Sequence, residues 1–388
     1  MILVRYRSRY IVRFQLFISS APARNRVLDA LRRACEERGL QCIQAADSRP
    51  NFIWSTSPKL PLDAACSCND AIVFNHLPGT FCLEDKFLLA SFASKACNVE
   101  SVPLHNKAEF ASWCDSKTGD RPKFYVLKDA RANGGTGIWM FQHPSADKQY
   151  MKILDQIGPN SSSYVVQDYI ENPALWQGRK FHFRIGAVKC ADGKAYLHRV
   201  AFLHPANRLY STASLEPTVH LTNLCVNYAD KDNGSFIGEV IEDLLIERPE
   251  LFKKCLEIFG QVCDSLQFAF QTQRNGTDFE YIGLDFLASD DGSVHLLEAN
   301  CPPAMVSPTK FVRAEALHDL LLYDTMSAFV VGNLAPVKHI RLGGFIEAPR
   351  ARESTENHLT IVPTWAEAQS RGLLAKLVGL KKAAKKTI

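Results

Sequence analysis

Three oxygen-bearing side chains, Asp285, Glu298 and Asn300, lie in the stretch YIGLDFLASDDGSVHLLEANCPP at residues 281 to 303. Apolar runs flank Asp291-Gly292, a dipeptide that between β-prone segments is the strongest short-range hairpin signal. With Asp291 and Gly292 as a two-residue loop, Asp290 pairs with Ser293. The ladder then brings Asp285 opposite Glu298 on one face, with Asn300 two places further along it. Like charges opposed in an apolar sheet destabilise it, so a cation belongs between them. Asp, Glu and Asn offer only hard oxygen ligands, the set that suits Mg²⁺ shared with substrate phosphates. The alternative is a solvated hairpin face carrying charges for solubility. Register is decisive, because a longer turn would shift the pairing and separate the carboxylates.

Other residues could hold the phosphates. In KFYVLKDARANGGTGIWMF (residues 123 to 141) an apolar strand ends at Lys128, a polar loop carries Gly134, Gly135, Thr136 and Gly137, and a second apolar strand follows. Glycines let the backbone approach a ligand, and consecutive N–H groups beside a lysine can cradle phosphate oxygens. The loop joins two strands rather than a strand and a helix, so it is neither a Walker A nor a dinucleotide fingerprint and reads as a flap; a plain hairpin tip fits the same residues. Further on, period-2 alternation puts Lys180, His182 and Arg184 on one strand face and Phe181, Phe183 and Ile185 on the other. Such a basic face suits a polyanion, while a charged edge strand is the bland alternative. Thr222 and Asn223 close a long polar loop of the kind that contacts substrate. Lys86, in a helix opening near Leu83 with Glu84 and Asp85 in its first turn, reads in isolation as a solvated lysine. Cys301, beside the acidic motif, has no evident base and reads as a structural thiol.

These residues need a sizeable frame. At 388 residues, 46% of them hydrophobic, the chain suits two or three domains. A net charge of +4 argues against a dedicated nucleic-acid binder and leaves room for a basic groove facing an acidic partner. The 12 cysteines form no C-x-x-C pair, which fits a reduced cytoplasmic setting with free thiols. No apolar run reaches the roughly 18 residues of a membrane span. The first 28 residues hold Arg5, Arg7, Arg9, Arg13, Arg24 and Arg26 and no acid. That composition also describes a mitochondrial presequence, but β-prone Tyr10 to Ser19, helical Asn25 to Arg38 and the strand LQCIQ fit a small α/β unit better. Gly344 to Pro363 reads as polar loop, and Trp365 to Lys385 as a helix with a basic end.

Taken in order, FNHLPGTFCLEDK, KDARANGGTGI, VVQDYIENPALWQGRKFHFR, HLTN, and GLDFL followed by LLEANCPP are the parts of an ATP-grasp ligase, and the chain closely resembles the tubulin-tyrosine ligase family. The motifs stand in family order over roughly residues 72 to 305. The resemblance implies an α/β (α+β) ATP-grasp fold in which antiparallel sheets sandwich the nucleotide. The expected domains are 1–75 (N-terminal α/β), 76–179 (central ATP-grasp subdomain), 180–340 (C-terminal ATP-grasp subdomain) and 341–388 (loop and basic helix).

By the same resemblance Lys128 and Lys180 would hold ATP, Gly134 to Gly137 would cover its phosphates, and Gln167, Asp168, Tyr169 and Ile170 would form the adenine hinge. Asp285, Glu298 and Asn300 would ligate Mg²⁺, Arg184 would neutralise the transferring phosphoryl group, and Lys86, Thr222 and Asn223 would face nucleotide or substrate. His182 stands where the family pattern K-F-D-x-R has its ribose-contacting Asp. The family's substrate arginine before HLTN has no counterpart; His204 takes its place in the alignment, between Arg199 and Arg208. The implied activity is ATP-dependent joining of a free amino acid to tubulin, tyrosine at the α-tubulin C-terminus first, with glutamate or glycine addition, or a binding module without catalysis, as alternatives. The implied setting is a monomer acting on the acidic tubulin tail in the cytoplasm, near microtubules or cilia, without nucleic-acid or membrane partners.

Overall fold

The computed structural model describes residues 11–45, 50–56, 73–117, 123–132, 135–144, 148–157, 163–223, 226–227, 239–270, 276–304, 312–334 and 342–350. Val12 and Phe14 bury one side of β1 (Ile11–Phe17), which pairs in parallel with β2 (Gln41–Gln44) and β3 (Phe52–Ser55); β4 (Val73–Phe74) extends the sheet from β3. The connecting helix starts at Ala21, four residues before the expected Asn25. Ser20 caps it, its Oγ accepting from the Ala23 N–H at 3.4 Å, and Pro22 sits in the first turn. The strand, helix, strand unit read from the sequence is therefore present.

The second sheet has the order β5-β8-β6-β7 and is antiparallel throughout: β5 (Ser101–Leu104), β6 (Lys123–Asp129), β7 (Ile138–His143) and β8 (Tyr164–Asp168). Alternation gives it two apolar faces. Tyr125, Leu127, Phe141, Tyr164 and Val166 pack against Phe110, Cys114, Ile153 and Leu154 from two covering helices, and the opposite face, with Val126 and Met140, looks into a cleft.

Across the cleft lies the third sheet, with the order β12-β11-β10-β13-β14: β10 (Arg179–Cys190), β11 (Ala195–Pro205), β12 (Glu239–Ile241), β13 (Phe279–Ala288) and β14 (Val294–Asn300). The short β9 (Leu175–Trp176) adds to β10, and β15 (Phe345–Glu347) adds to β11. β15 lies in the stretch read as polar loop; Phe345 and Ile346 are buried, and this apolar pair draws the segment onto the sheet. β10 is central, which rules out the edge-strand reading of its charges. One face of this sheet, through Phe183, Ile185, Ile282, Leu284 and Phe286, packs on the helix Pro249–Ser265. The other is divided lengthwise along β13. Phe279 and Tyr281 are covered by the helical segment around Leu321 to Val331 and by Trp54 of the N-terminal sheet, whereas Asp285 and Leu287 on the same face border the cleft. This is the ATP-grasp-like arrangement implied by the motifs.

A buried polar cluster joins the N-terminal sheet to β13. Glu280 is 0% exposed and accepts from the Leu77 N–H at 3.1 Å and the Thr80 hydroxyl at 2.9 Å, with His76 Nδ1 at 3.0 Å. The Nε2 of His76 donates to the Ser55 carbonyl at 2.9 Å, and Asp278 accepts from the Phe74 N–H at 2.9 Å. The helix expected from near Leu83 is broken here. Phe81–Glu84 forms one turn, and Asp85 then caps a second helix, Lys86–Ala93, by accepting from the N–H groups of Phe87 and Leu88 at 2.9 and 3.1 Å. Residues 5, 7 and 9, Cys66, Cys68 and the expected helix from Trp365 to Lys385 lie outside the described residues.

Replacing Glu280 by Ala removes the acceptor shared by His76, Leu77 and Thr80. Breaking a buried hydrogen-bonded pair from one side costs about 3 kcal/mol or more. Thermal denaturation of Glu280→Ala is expected to show a large fall in melting temperature; an unchanged melting temperature would count against this cluster as the tie between the two sheets.

Candidate functional site

The site grows from the register of three strands. Arg184 on β10 stands directly opposite Asp285 on β13, and Asp285 directly opposite Glu298 on β14. The Asp285–Glu298 pairing expected from the sequence is present, but by a different route. Ser289 pairs with Ser293, its N–H donating to the Ser293 carbonyl at 2.9 Å, so Asp290 does not pair with Ser293 and the loop holds three residues rather than two. Gly292, at φ +79°, takes the left-handed position that such a three-residue turn requires. The pairing remains one residue out of step through Phe286–Leu296, and a β-bulge between Asp285 and Phe286 restores it by leaving Leu297 without a partner. Turn and bulge cancel, and the carboxylates still meet.

Their surroundings exclude the solvated-face reading, since Asp285 is only 2% exposed. Arg184 grips it through two hydrogen bonds, Nε to Oδ1 and Nη2 to Oδ2, both 2.6 Å. Burial pulls the guanidinium's pKa down, but Asp285 outweighs it and the net shift is upward. His182 lies 3.4 Å from Asp285 through Nε2, while its Nδ1 meets Thr222 Oγ1 at 2.6 Å. Burial, assisted by Arg184, pushes His182 down to about 3, so the ring is neutral. His204 stacks on it with ring centroids 4.9 Å apart. Among the described residues Glu298 has no hydrogen-bond partner, and the buried Asn300 Nδ2 has none either. A buried carboxylate, a second unpaired one opposite it and the Asn300 side-chain amide, through its oxygen, form a hard-oxygen donor set, and Mg²⁺ fits it.

Two lysines line the same cleft, Lys128 from the opposing sheet and Lys180 from β10 of the same sheet. Lys128 on β6 is pushed down to about 8 by burial, with Glu298 partly compensating, and Lys180 to about 7 by burial and by Lys128. Lys180 is buried rather than exposed, its Nζ 4.0 Å from the centre of the Tyr169 ring. The face of β10 read as basic is thus covered by the opposing sheet. Lys86, at the start of its helix, donates to the Ala132 carbonyl of the flap loop at 2.7 Å and shares a small recess with Lys128 and Gln167.

The flap joins β6 to β7 as expected. Gly135 and Gly137 adopt φ of +82° and +64°. A Cβ at Gly135 would lie 2.3 Å from Val226, and one at Gly137 2.8 Å from the Ala132 side chain, so both positions need glycine. Gly135 lies against Asn223, Thr136 lies between the two glycines, and Gly134 falls outside the described residues.

The hinge turns its side chains aside. Gln167 Nε2 donates to Ser101 Oγ at 2.9 Å and Asp168 accepts from Lys123 Nζ at 2.6 Å. The N–H groups of Asp168 and Tyr169 donate to the carbonyls of Glu100 and Phe124. Among the described residues the Ile170 N–H has no partner, which leaves it available to an adenine-like edge.

Lys128, Gln167 to Ile170, Lys180, His182, Thr222, Asn223, Asp285 and Glu298 all border one cleft. Arg184 and Asn300 adjoin its acidic end through Asp285 and the same strands, and Lys86 lies behind Lys128. Sequence reading missed the apolar walls: Val99, Val126, Ile138, Met140, Leu287 and Leu297. Alternation from Lys128 to Val126 and from Asp285 to Leu287 could have found two of these; Leu297 faces the cleft only because of the bulge. Cys301 is buried, and burial raises its thiol pKa well above the usual value, in keeping with the structural reading.

Comparison with known proteins agrees with this geometry. The family model described as the tubulin-tyrosine ligase family matches residues 66–336. A probable tubulin–tyrosine ligase of Schizosaccharomyces pombe is 24% identical over 295 residues, covering 67% of this chain and 69% of that protein. Tubulin glycylase 3B of Tetrahymena thermophila is 27% identical over 253 residues, covering 60% of this chain and 21% of that protein. A probable tubulin polyglutamylase of Mus musculus is 25% identical over 278 residues, covering 65% and 56%.

The two depressed lysines give the cleft a pH signature. A polyphosphate favours their charged forms, so ligand binding raises both pKa values and takes up protons where the free protein has lost them. ATP binding is expected to weaken as pH rises through the window from about 7 to about 8. Calorimetry in buffers of different ionisation enthalpy should record net proton uptake in that window. Absence of uptake would show that these lysines do not meet the phosphates.

Proposed function

Because the chain belongs to the tubulin-tyrosine ligase family, we propose that it is an ATP-dependent ligase that joins an amino acid to a protein carboxylate, with tubulin as the protein. The observation that carries this reading is the single cleft in which Lys128, on one antiparallel sheet, faces Lys180, Asp285 and Glu298 on the other. Tubulin as acceptor is supported by the names of the relatives.

In this reading the adenine lies between Val126, Met140 and Leu287, with its edge at the Ile170 N–H. The triphosphate runs beneath the flap toward Lys128 and Lys180. The γ-phosphoryl group passes from ATP to the acceptor carboxylate, giving an acyl phosphate and ADP; the neutral amine of the second substrate attacks the acyl carbon, the C–O bond to phosphate breaks, and amide, inorganic phosphate and a proton result. The chain's share of this work is positioning and charge neutralisation. The lysines bind non-bridging oxygens, Arg184 meets charge on the transferring group, and the apolar walls keep water away. Asp285, Glu298 and Asn300 would hold Mg²⁺, which would supply positive charge to offset that of the phosphates. No helix among the described residues is long and apolar enough to cross a membrane, and a cytoplasmic, cytoskeletal setting belongs to the same proposal.

Tyrosine is the first candidate for the added amino acid, supported by the 69% coverage of the S. pombe relative. Glutamate and glycine have comparable support, because the polyglutamylase and glycylase relatives are 25 and 27% identical. Mass spectrometry of tubulin incubated with the protein, ATP, Mg²⁺ and each of the three amino acids should show one mass increment, and that increment names the substrate. No increment with any of the three, together with no tubulin-dependent ATP consumption, would overturn the ligase reading. Glu298→Gln is expected to lower turnover by at least about a hundredfold while leaving the melting temperature unchanged; retained activity would remove Glu298 from the site.

A further inference from the structure

We infer that Arg184 occludes the metal position: its guanidinium and a divalent cation compete for the same carboxylate, Asp285, so cation entry and release of Arg184 toward the phosphates are a single event. This rests on the Mg²⁺–ATP reading of the cleft and adds to it an order of exchange. Both Asp285 oxygens are already engaged, one by Nε and one by Nη2, at 2.6 Å each. A carboxylate held in this fork cannot present either oxygen freely to a cation.

The grip is built into the sheet. Arg184 and Asp285 are directly paired residues of β10 and β13, and the arginine Cδ passes 3.4 Å from where a Cβ on Gly283 would stand. On the other side a ligand is open: among the described residues Glu298 has no hydrogen-bond partner. The two carboxylates are thus divided, one tied to arginine and the other ready.

A displaced Arg184 also has somewhere to go. Its side chain is 24% exposed, against 3% for Asp285, and it shares a strand face with Lys180. His182, a histidine tied to Thr222, supplies no negative charge to hold it back. A cation at Asp285 and Glu298 would repel the guanidinium, and the phosphates brought with the cation would attract it. The residue that shields Asp285 thereby becomes one that meets the phosphoryl group.

The alternative role, a clamp that orients Asp285 for the metal, predicts the opposite sign in a binding experiment. Mn²⁺ serves as the probe, with free Mn²⁺ followed by electron paramagnetic resonance on the full chain, with and without ATP, for the wild type, Arg184→Gln, Arg184→Lys and Asp285→Asn. Occlusion predicts that Arg184→Gln binds Mn²⁺ alone roughly tenfold tighter than the wild type, the scale on which residues next to a metal ligand act. Arg184→Lys, which cannot form the fork, should fall between them, and Asp285→Asn should lose binding. With ATP present the order should reverse, Arg184→Gln binding Mn²⁺–ATP more weakly. Equal or weaker binding of Mn²⁺ alone by Arg184→Gln, or by Arg184→Lys should the glutamine variant lose its native melting transition, overturns the occlusion. Failure of the wild type to bind Mn²⁺–ATP at all overturns the nucleotide reading itself, and the inference with it.

Discussion

Everything at the acidic end of the cleft depends on two carboxylates held opposite one another on neighbouring strands, at least one of them out of water. At a separation of about 5 Å and an effective dielectric near 20, two such charges repel by roughly 3 kcal/mol. A single guanidinium in contact with one of them returns about 4 kcal/mol on the same scale. The sheet can therefore hold Asp285 and Glu298 together because Arg184 is paired with one of them, and the row Arg184, Asp285, Glu298 runs straight across three adjacent strands. Across the cleft the same electrostatic logic runs in reverse. Lys128 of the opposing sheet and Lys180 of β10 lie near each other with reduced hold on their protons, a condition that a polyanion relieves.

That charged row needs a rigid sheet beneath it, and the distribution of burial shows how rigidity is obtained. β13 has apolar contacts on one face along its length, while on its other face Phe279 and Tyr281 are covered and Asp285 and Leu287 border the cleft. Trp54, from the small parallel sheet, packs on Phe279 and Tyr281 with ring centroids 6.1 and 5.8 Å away. Glu280, between them in sequence, anchors the segment that precedes Lys86. The N-terminal unit thus buttresses the strand carrying Asp285 and also sets the start of the helix carrying Lys86. A disturbance at His76 or Thr80 is transmitted to both ends of the site.

Much of this was legible in the sequence where the signal is local. The glycine flap, the alternation of Lys180, His182 and Arg184 and the small α/β unit follow from residue type and spacing over a few positions, and the ordered motifs then name the fold. What was not legible depends on long-range pairing. Neither the turn around Gly292 nor the strand beside it reveals that a three-residue loop will be cancelled by a bulge at Leu297; the two shifts are fixed only when β13 and β14 both pack. The burial of the β10 face was not legible for a related reason, since the elements that cover it are distant in sequence. Asp85 illustrates the opposite case. Its capping role was available locally, but an acid in a first helical turn and an acid at a cap look alike until the backbone is seen to break.

His182 shows how one residue can alter such a row without altering the fold. The resemblance places an acid at this position, on the same strand face as Arg184 and two residues from it. An acid there would give the guanidinium two carboxylates to share. In this chain the position holds a ring that is 3% exposed, neutral, stacked on His204 and bonded to Thr222. Arg184 therefore has Asp285 as its carboxylate partner, and the bidentate geometry at 2.6 Å is what an undivided partner permits. The histidine pair puts stacked aromatic surface at the end of β10 nearest the Thr222 loop, and the hydrogen bond between His182 and Thr222 ties that loop to the strand. The acidic end of the cleft is consequently less negative than the family pattern would make it, and its affinity for cations is set by how readily Asp285 can be freed.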